Sequence, residues 1–454
     1  MLMNYTILLT LAAIALPQES AQSLEGVWQS EAYGQVIRIT PDAYEIYDTT
    51  PVSCVRADNG KAADFPKVFP ELTYLDGNAF QVSGLYYRYR FRRMDALPEA
   101  CREPAAIDPV LVFDAFWHYL DDHYAFFDRR GIDWAQARAE FRPRVNSATT
   151  QKELYGILGE LVGRINDPHV FVSNGARGDD NLSAGAASLH GIALALQEAV
   201  PGQPQSAYRD GAGRIIGAIE AVVRYELLAT KFKVAFNDRL TWGRLPNGVA
   251  FLRASQFVGL FSNVPREAMQ ERLDATLDEI FRDLEGAPGL VIDLSTNAGG
   301  ADFIPVAIAR RLIDRRVLGF RKYAMSGGRR IAPYELWLEP STRPRFLGPV
   351  AVLVSRNSIS SGETLPNMLR QLPHVTIVGE QTVGAMSDIL MKQLPGGGFV
   401  GLSNEIVESP TGEISEVFGI VPEHRVTVFD GRAPISSYMR AVASAVEVLR
   451  AGRR

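Results

Sequence analysis

The chain has 454 residues, enough for two or three domains. Hydrophobic residues make up 46% and charged residues 22%, the balance of a folded globular protein. A formal net charge of −5, with no basic block, gives no electrostatic case for nucleic acid or an anionic membrane.

The opening, "MLMNYTILLTLAAIALPQESAQS", has an apolar run from Tyr5 to Leu16. That is short of the roughly 20 residues a bilayer span needs. Ala21 and Ser23 place small residues at the −3 and −1 positions of a cleavage site, so residues 1–23 read as a secretory signal peptide. A buried N-terminal helix is the competing reading. Residues 24–105 alternate as strands, with Asp76-Gly77-Asn78 as a turn, and form a small β domain. The chain's two cysteines, Cys54 and Cys101, flank that domain. In an exported chain they are expected to form a disulfide, which over a loop of about 47 residues stabilises by roughly 4 kcal/mol.

Residues 106–175 carry apolar positions at helical spacing (Val112, Phe116, Tyr119, Leu120) and predict a helical subdomain. Residues 176–245 read as a connector of loop and helix with no clear PDZ domain. Over 246–432 the pattern becomes strand, helix, strand: "VAFLRA", then "MQERLDATLDEIFRDL", "LVIDLS", "PVAVLVS", "VTIVG" and "FVGLS". That alternation predicts an α/β domain with a partly parallel sheet. Residues 433–454 close the chain with a helix. No internal repeat stands out, which argues against a solenoid.

Three stretches could carry chemistry. In "NSISSGE", a strand gives way to Ser358, Ser360 and Ser361 at a helix start, where free N–H groups favour a developing oxyanion. The competing reading is an ordinary serine N-cap. In "LVIDLSTNAGGAD", Gly299 and Gly300 follow a buried strand and let backbone amides approach a substrate. In "GRINDPHVFV", His169 follows a helix; of the six histidines it has the clearest setting. The absence of a CxxC motif leaves zinc and redox chemistry without support.

The order "DWAQARAEFRP", "INDPHV", "LVIDLSTNAGG", "NSISSGE", "GEQTVGA", "EVFGIVPEHRV" resembles the tail-specific, or C-terminal processing, serine peptidases over roughly residues 108 to 430. The resemblance implies a crotonase-like ββα catalytic core. It implies Ser360 as nucleophile, with the Ser361 amide and a Gly299 or Gly300 amide holding the oxyanion. In the Ser–Lys branch a lysine follows the "GExTxG" motif, but Ala385 stands there, and Lys392 lies seven residues on in the next segment. The tricorn-like branch instead takes a histidine from the preceding helical region, which maps to His169. A downstream glutamate of that branch maps to Glu416. The branch places a serine before the histidine, and here Pro168 cannot relay a hydrogen bond. Asp167 and Glu363 therefore compete with Glu416 for the orienting role. A carboxylate beside His169 is expected to raise its pKa.

These features imply an exported (periplasmic or extracellular) serine peptidase acting on peptide or protein substrates. No cofactor or metal, no nucleic acid and no membrane span in the mature chain are implied. The same fold also serves hydrophobic-ligand-binding proteins without catalysis. The same triad would serve an esterase-like acyl hydrolase.

Overall fold

The computed structural model describes residues 24–451 except 70, 85–86, 186–188, 230, 262–263 and 332. The expected signal peptide, residues 1–23, lies outside the described residues. Among the described residues no helix is long and apolar enough to cross a membrane.

Seven antiparallel strands make the N-terminal unit. In spatial order they are Cys54–Lys61, Ala43–Thr49, Gln35–Ile39, Gly26–Ser30, Tyr87–Met94, Ala79–Gly84 and Leu72–Asp76. Strands alternate side chains between faces, so Trp28, Ile37, Phe80 and Phe91 gather into one small core. Cys54 and Cys101 are joined by a disulfide that ties this sheet to the short helix Glu99–Arg102.

Helices Pro109–His123, Trp134–Phe141 and Gln151–Ile165 follow. Each has the start its sequence calls for. Asp108 and Asp133 accept from the amides of Leu111 and Gln136, and Thr150 forms a capping box with Glu153. Their inward faces, with Phe113, Phe116, Leu158 and Leu161, share one core with Val172 and Val400.

The main sheet runs Phe232–Ala235, Leu240–Arg244, Ala250–Ala254, Leu290–Asp293, Val350–Val354, Val375–Gly379, His424–Arg425. From Ala250–Ala254 onward the strands are parallel. Parallel sheets need helices on both faces, and the alternation shows both covered. Leu252, Ile292 and Val352 pack against helices Arg266–Asp283, Phe303–Ala309 and Ser361–Leu369. Phe251, Val291, Ala351 and Leu353 face helices Gln205–Ala221 and Pro434–Ala451.

One expectation needs adjusting. Residues 176–245 are not wholly connector, because Phe232–Ala235 and Leu240–Arg244 pair as a hairpin and enter the main sheet. The turn between them has Phe236, Asn237 and Asp238 at positive φ. The interspersed lysine and arginine side chains masked two short strands, of which Phe232–Ala235 is the sheet edge.

Candidate active site

Three adjacent parallel strands end on one side of the sheet. Their outgoing loops are 294–300 after Leu290–Asp293, 355–360 after Val350–Val354, and 380–388 after Val375–Gly379. Open parallel sheets place ligands beyond such carboxyl ends.

The serine cluster lies in the second loop, and its three hydroxyls differ. Ser358 is buried; its Oγ donates to Leu294 O at 2.9 Å and accepts from the Ser355 amide at 3.0 Å. Ser361 is buried, with Oγ 2.7 Å from Gly300 O and 2.5 Å from Asp302 Oδ1. Ser360 is partly exposed, and its hydroxyl has no hydrogen-bond partner among the described residues. Its backbone sits at φ 58°, ψ −132°, which a non-glycine residue rarely adopts. It begins helix Ser361–Leu369 but makes no side-chain cap bond, so the simple N-cap reading is not the geometry found.

The glycine turn packs directly on this serine. A Cβ on Gly299 would sit 2.6 Å from Ser360 Cβ, and one on Gly300 would sit 2.1 Å from the Phe257 backbone. Asn297 holds the turn: its Oδ1 accepts the Gly299 amide at 2.8 Å, its Nδ2 donates to Ala254 O at 2.9 Å, and its carbonyl accepts the Ile359 amide at 3.1 Å. The Gly299 N–H is therefore engaged. The Gly300 and Ser361 amides have no acceptor among the described residues, so these two donors are the ones free to meet an oxyanion.

His169 is presented from the other side. Helix Gln151–Ile165 stops at Asn166, which is left-handed at φ 50°. Asp167 Oδ1 then accepts the His169 amide at 2.9 Å, forming the local turn such a side chain favours. Asp167 Oδ2 is also occupied, accepting from Tyr124 at 2.9 Å and lying 3.4 Å from Arg130 Nη2. Arg130 further donates to Asn166 O at 2.8 Å, so it fixes the whole turn.

Ser360 and His169 each contact one short segment, 385–387. The Ser360 amide donates to Ala385 O at 3.0 Å, and the Ser387 carbonyl faces the imidazole. Burial pushes His169 below its ordinary value, while Asp167 and the Ser387 carbonyl pull partly back. The expected upward shift does not occur, because lost water outweighs the neighbouring carboxylate.

The carboxylates separate by what they hold. Glu363 accepts from Thr382 Oγ1 at 2.5 Å, Gly384 N at 2.9 Å and Ala385 N at 3.0 Å, so both its oxygens anchor the third loop. Burial pushes it up to about 7 against those hydrogen bonds. Glu416 Oε2 accepts from Met386 N at 2.6 Å and Ser387 N at 3.1 Å. Its Oε1 is buried without a partner, and so is His169 Nδ1. Burial, then Asp167, push Glu416 well above the ordinary carboxylate range.

Lys392 stands apart. It is buried, with Nζ 2.7 Å from Asp48 Oδ1 in the N-terminal sheet. Ala385 is buried. Sequence reasoning passed over Tyr124, Arg130, Asn297 and Asp302. The last two lie inside the stretch "TNAGGAD", where an Asn two residues before a glycine signals a side-chain-to-backbone turn.

Residues 249–426 match the model of Peptidase family S41, and residues 111–163 match the Tricorn protease C1 domain. Over those residues the chain is similar to serine-type peptidases of the S41, or tail-specific, kind. A carboxyl-terminal-processing protease of Picosynechococcus sp. is 22% identical over 355 residues, covering 68% of this chain and 81% of its own. Tricorn protease homolog 1 of Streptomyces coelicolor is 23% identical over 346 residues, covering 63% and 30%. The chloroplastic C-terminal processing peptidase of Tetradesmus obliquus is 28% identical over 151 residues, covering 33% and 31%. The chain thus spans under a third of the last two relatives.

Among solved structures, a peptidase from Parabacteroides merdae shares the fold at TM-score 0.59 and 24% identity, covering 76% of this chain and 97% of that one. Mature CPAF, solved with lactacystin, does so at TM-score 0.53 and 13% identity, covering 75% and 98%.

Proposed function

We propose that this chain is an exported peptidase that cleaves peptide bonds through an acyl-enzyme on Ser360, with His169 as general base. The observation that carries the choice of nucleophile is the contrast among the three serines: Ser358 and Ser361 are buried and engaged, while Ser360 is strained, partly exposed and free.

His169 takes the Ser360 proton as Oγ attacks the carbonyl carbon, and the amides of Gly300 and Ser361 receive the developing oxyanion. The imidazolium returns the proton to the departing amine, and water then hydrolyses the acyl-enzyme. A neutral base is what the buried setting of His169 supplies at ordinary pH. Glu416, with one unpaired oxygen, is the carboxyl free to orient Nδ1; Asp167 and Glu363 are fully used. The tricorn-like Ser–His branch is favoured over Ser–Lys because Ala385 stands at the lysine position and Lys392 is tied to Asp48. The arrangement is in keeping with a crotonase-like ββα core. Export rests on the residues 1–23 and on the Cys54–Cys101 bond, which persists in oxidising compartments.

The test is labelling with a fluorophosphonate probe, followed by mass spectrometry of the modified peptide. Modification of Ser360 is expected. No labelling, the behaviour of a ligand-binding protein of the same fold, or labelling of Ser358 or Ser361, would overturn the reading.

A further inference from the structure

Ser361 Oγ makes two close contacts, 2.7 Å to Gly300 O and 2.5 Å to Asp302 Oδ1. A hydroxyl carries one hydrogen, and both a carbonyl oxygen and an ionised carboxylate only accept. One hydrogen cannot lie along both lines. The contacts are both satisfied if Asp302 is protonated: the carboxyl donates to Ser361 Oγ, and Ser361 donates to Gly300.

The surroundings favour that state. Burial, then the facing Asp388 carboxylate, push Asp302 up to about 7, against the opposing pull of Lys322 and of a hydrogen bond from Ser361. Burial works to raise Asp388 too, but the Lys322 ammonium, 2.5 Å from its Oδ2, outweighs this and keeps it ionised. Lys322 also lies 3.2 Å from Glu405 Oε2, and Tyr33 of the N-terminal sheet donates to Glu405 Oε1 at 2.9 Å. Asp388 and Lys322 thus act on Asp302 directly. Glu405, Tyr33 and the half-buried Tyr89 stand behind them.

We propose that protonated Asp302 is a positioning residue for the oxyanion pocket: through Ser361 Oγ it ties the Gly300 peptide to the start of helix Ser361–Leu369 and so sets the spacing of the Gly300 and Ser361 amides. The proposal rests on the Ser360 reading above. Ionising Asp302 takes the Ser361 hydrogen away from Gly300, and the glycine turn loses its tie to the helix. Activity then falls as pH rises through the Asp302 titration. The His169 limb has the opposite sign and lies on the acid side, so the two are separable.

The readout is the rate of fluorophosphonate labelling of Ser360 across pH 5 to 9, with thermal melting as the check on folding. The wild-type rate should decline on an alkaline limb centred near pH 7. D302N, whose amide still donates to Ser361, should lose that limb. D302A should slow labelling tenfold or more at every pH. Ser361→Ala breaks the relay without touching the carboxyl, and should be slowed and without the limb. Glu405 is likewise pushed up to about 7, first by burial. E405Q should therefore keep the limb. A limb unchanged in D302N, a limb lost in E405Q, or wild-type rates in folded D302A would each overturn the proposal while leaving Ser360 as nucleophile. Wild-type protein in which Ser360 is never labelled would sink the nucleophile reading and this one together.

Discussion

At Ser360 the backbone takes φ 58° while the hydroxyl stays free, and the cost is carried by the packed glycine turn and the helix start. Two predictions belong at this scale. Ser360→Ala should abolish turnover, and His169→Ala should lower kcat by about three orders of magnitude or more. The double variant should be little worse than either, since the pair acts as one unit. His169→Ala retaining over about a tenth of the rate, under roughly 1.4 kcal/mol of barrier, would exclude it as base. Because burial lowers the His169 pKa, the neutral base persists below pH 6.5, and kcat/KM should fall only as pH drops through that lowered value. An acid limb above 6.5 in a kcat/KM profile would contradict this. The second prediction concerns Glu416→Gln. It retains an acceptor for the Met386 and Ser387 amides but removes the carboxyl whose partnerless Oε1 is the one open to His169 Nδ1. It should cost about two to four orders of magnitude in kcat with little change in melting temperature. Steady-state kinetics beside a thermal melt would show whether both hold.

Three loops at the ends of neighbouring parallel strands build the site, and buried side chains lock each in shape. Asn297 folds the first, Ser355 and Ser358 the second, Glu363 and Glu416 the third. Gly299→Ala tests the fit between the first two. The new methyl meets Ser360 Cβ at 2.6 Å, and φ there is 86°. The expected outcome is a loss of at least about tenfold in kcat, about 1.4 kcal/mol or more of barrier, with the sheet intact by circular dichroism. Full activity would mean that the turn relaxes freely and that its position is not critical.

The N-terminal sheet is joined to the peptidase unit by a buried ion pair and a part-buried side-chain hydrogen bond. Lys392 reaches Asp48, whose other oxygen accepts the Gln393 amide at 3.0 Å, and Tyr33 reaches Glu405. Breaking a buried pair by removing one partner costs on the order of 3–5 kcal/mol, whereas replacing both with apolar groups can be neutral. Asp48→Ala should accordingly lower stability by about 3 kcal/mol, and the double change Asp48→Leu with Lys392→Met should recover much of it. Chemical denaturation of the three variants measures the coupling. Equal losses in the single and double variants would mean that the pair does not hold the two units together.

Much of this design was legible without coordinates. The runs "LVIDLS" and "PVAVLVS" announce buried strands because parallel strands covered on both faces need apolar residues throughout. The small polar and glycine residues after them mark where those strands must open into loops. Asp133, Thr150 and Glu153 declare their helix starts, since capping is a local bargain between side chain and adjacent amides. What tertiary structure alone decided lies where partners are remote. Tyr33 and Glu405 are 372 positions apart, and Lys392 and Asp48 are 344 apart. Nothing in the periodicity around either member points to the other. The same holds for the choice among serines. Ser358, Ser360 and Ser361 are chemically alike in sequence, and only the packing of Leu294, Gly300 and Asp302 around two of them leaves Ser360 free, because a hydroxyl is engaged or free according to what the folded chain places within about 3 Å of it.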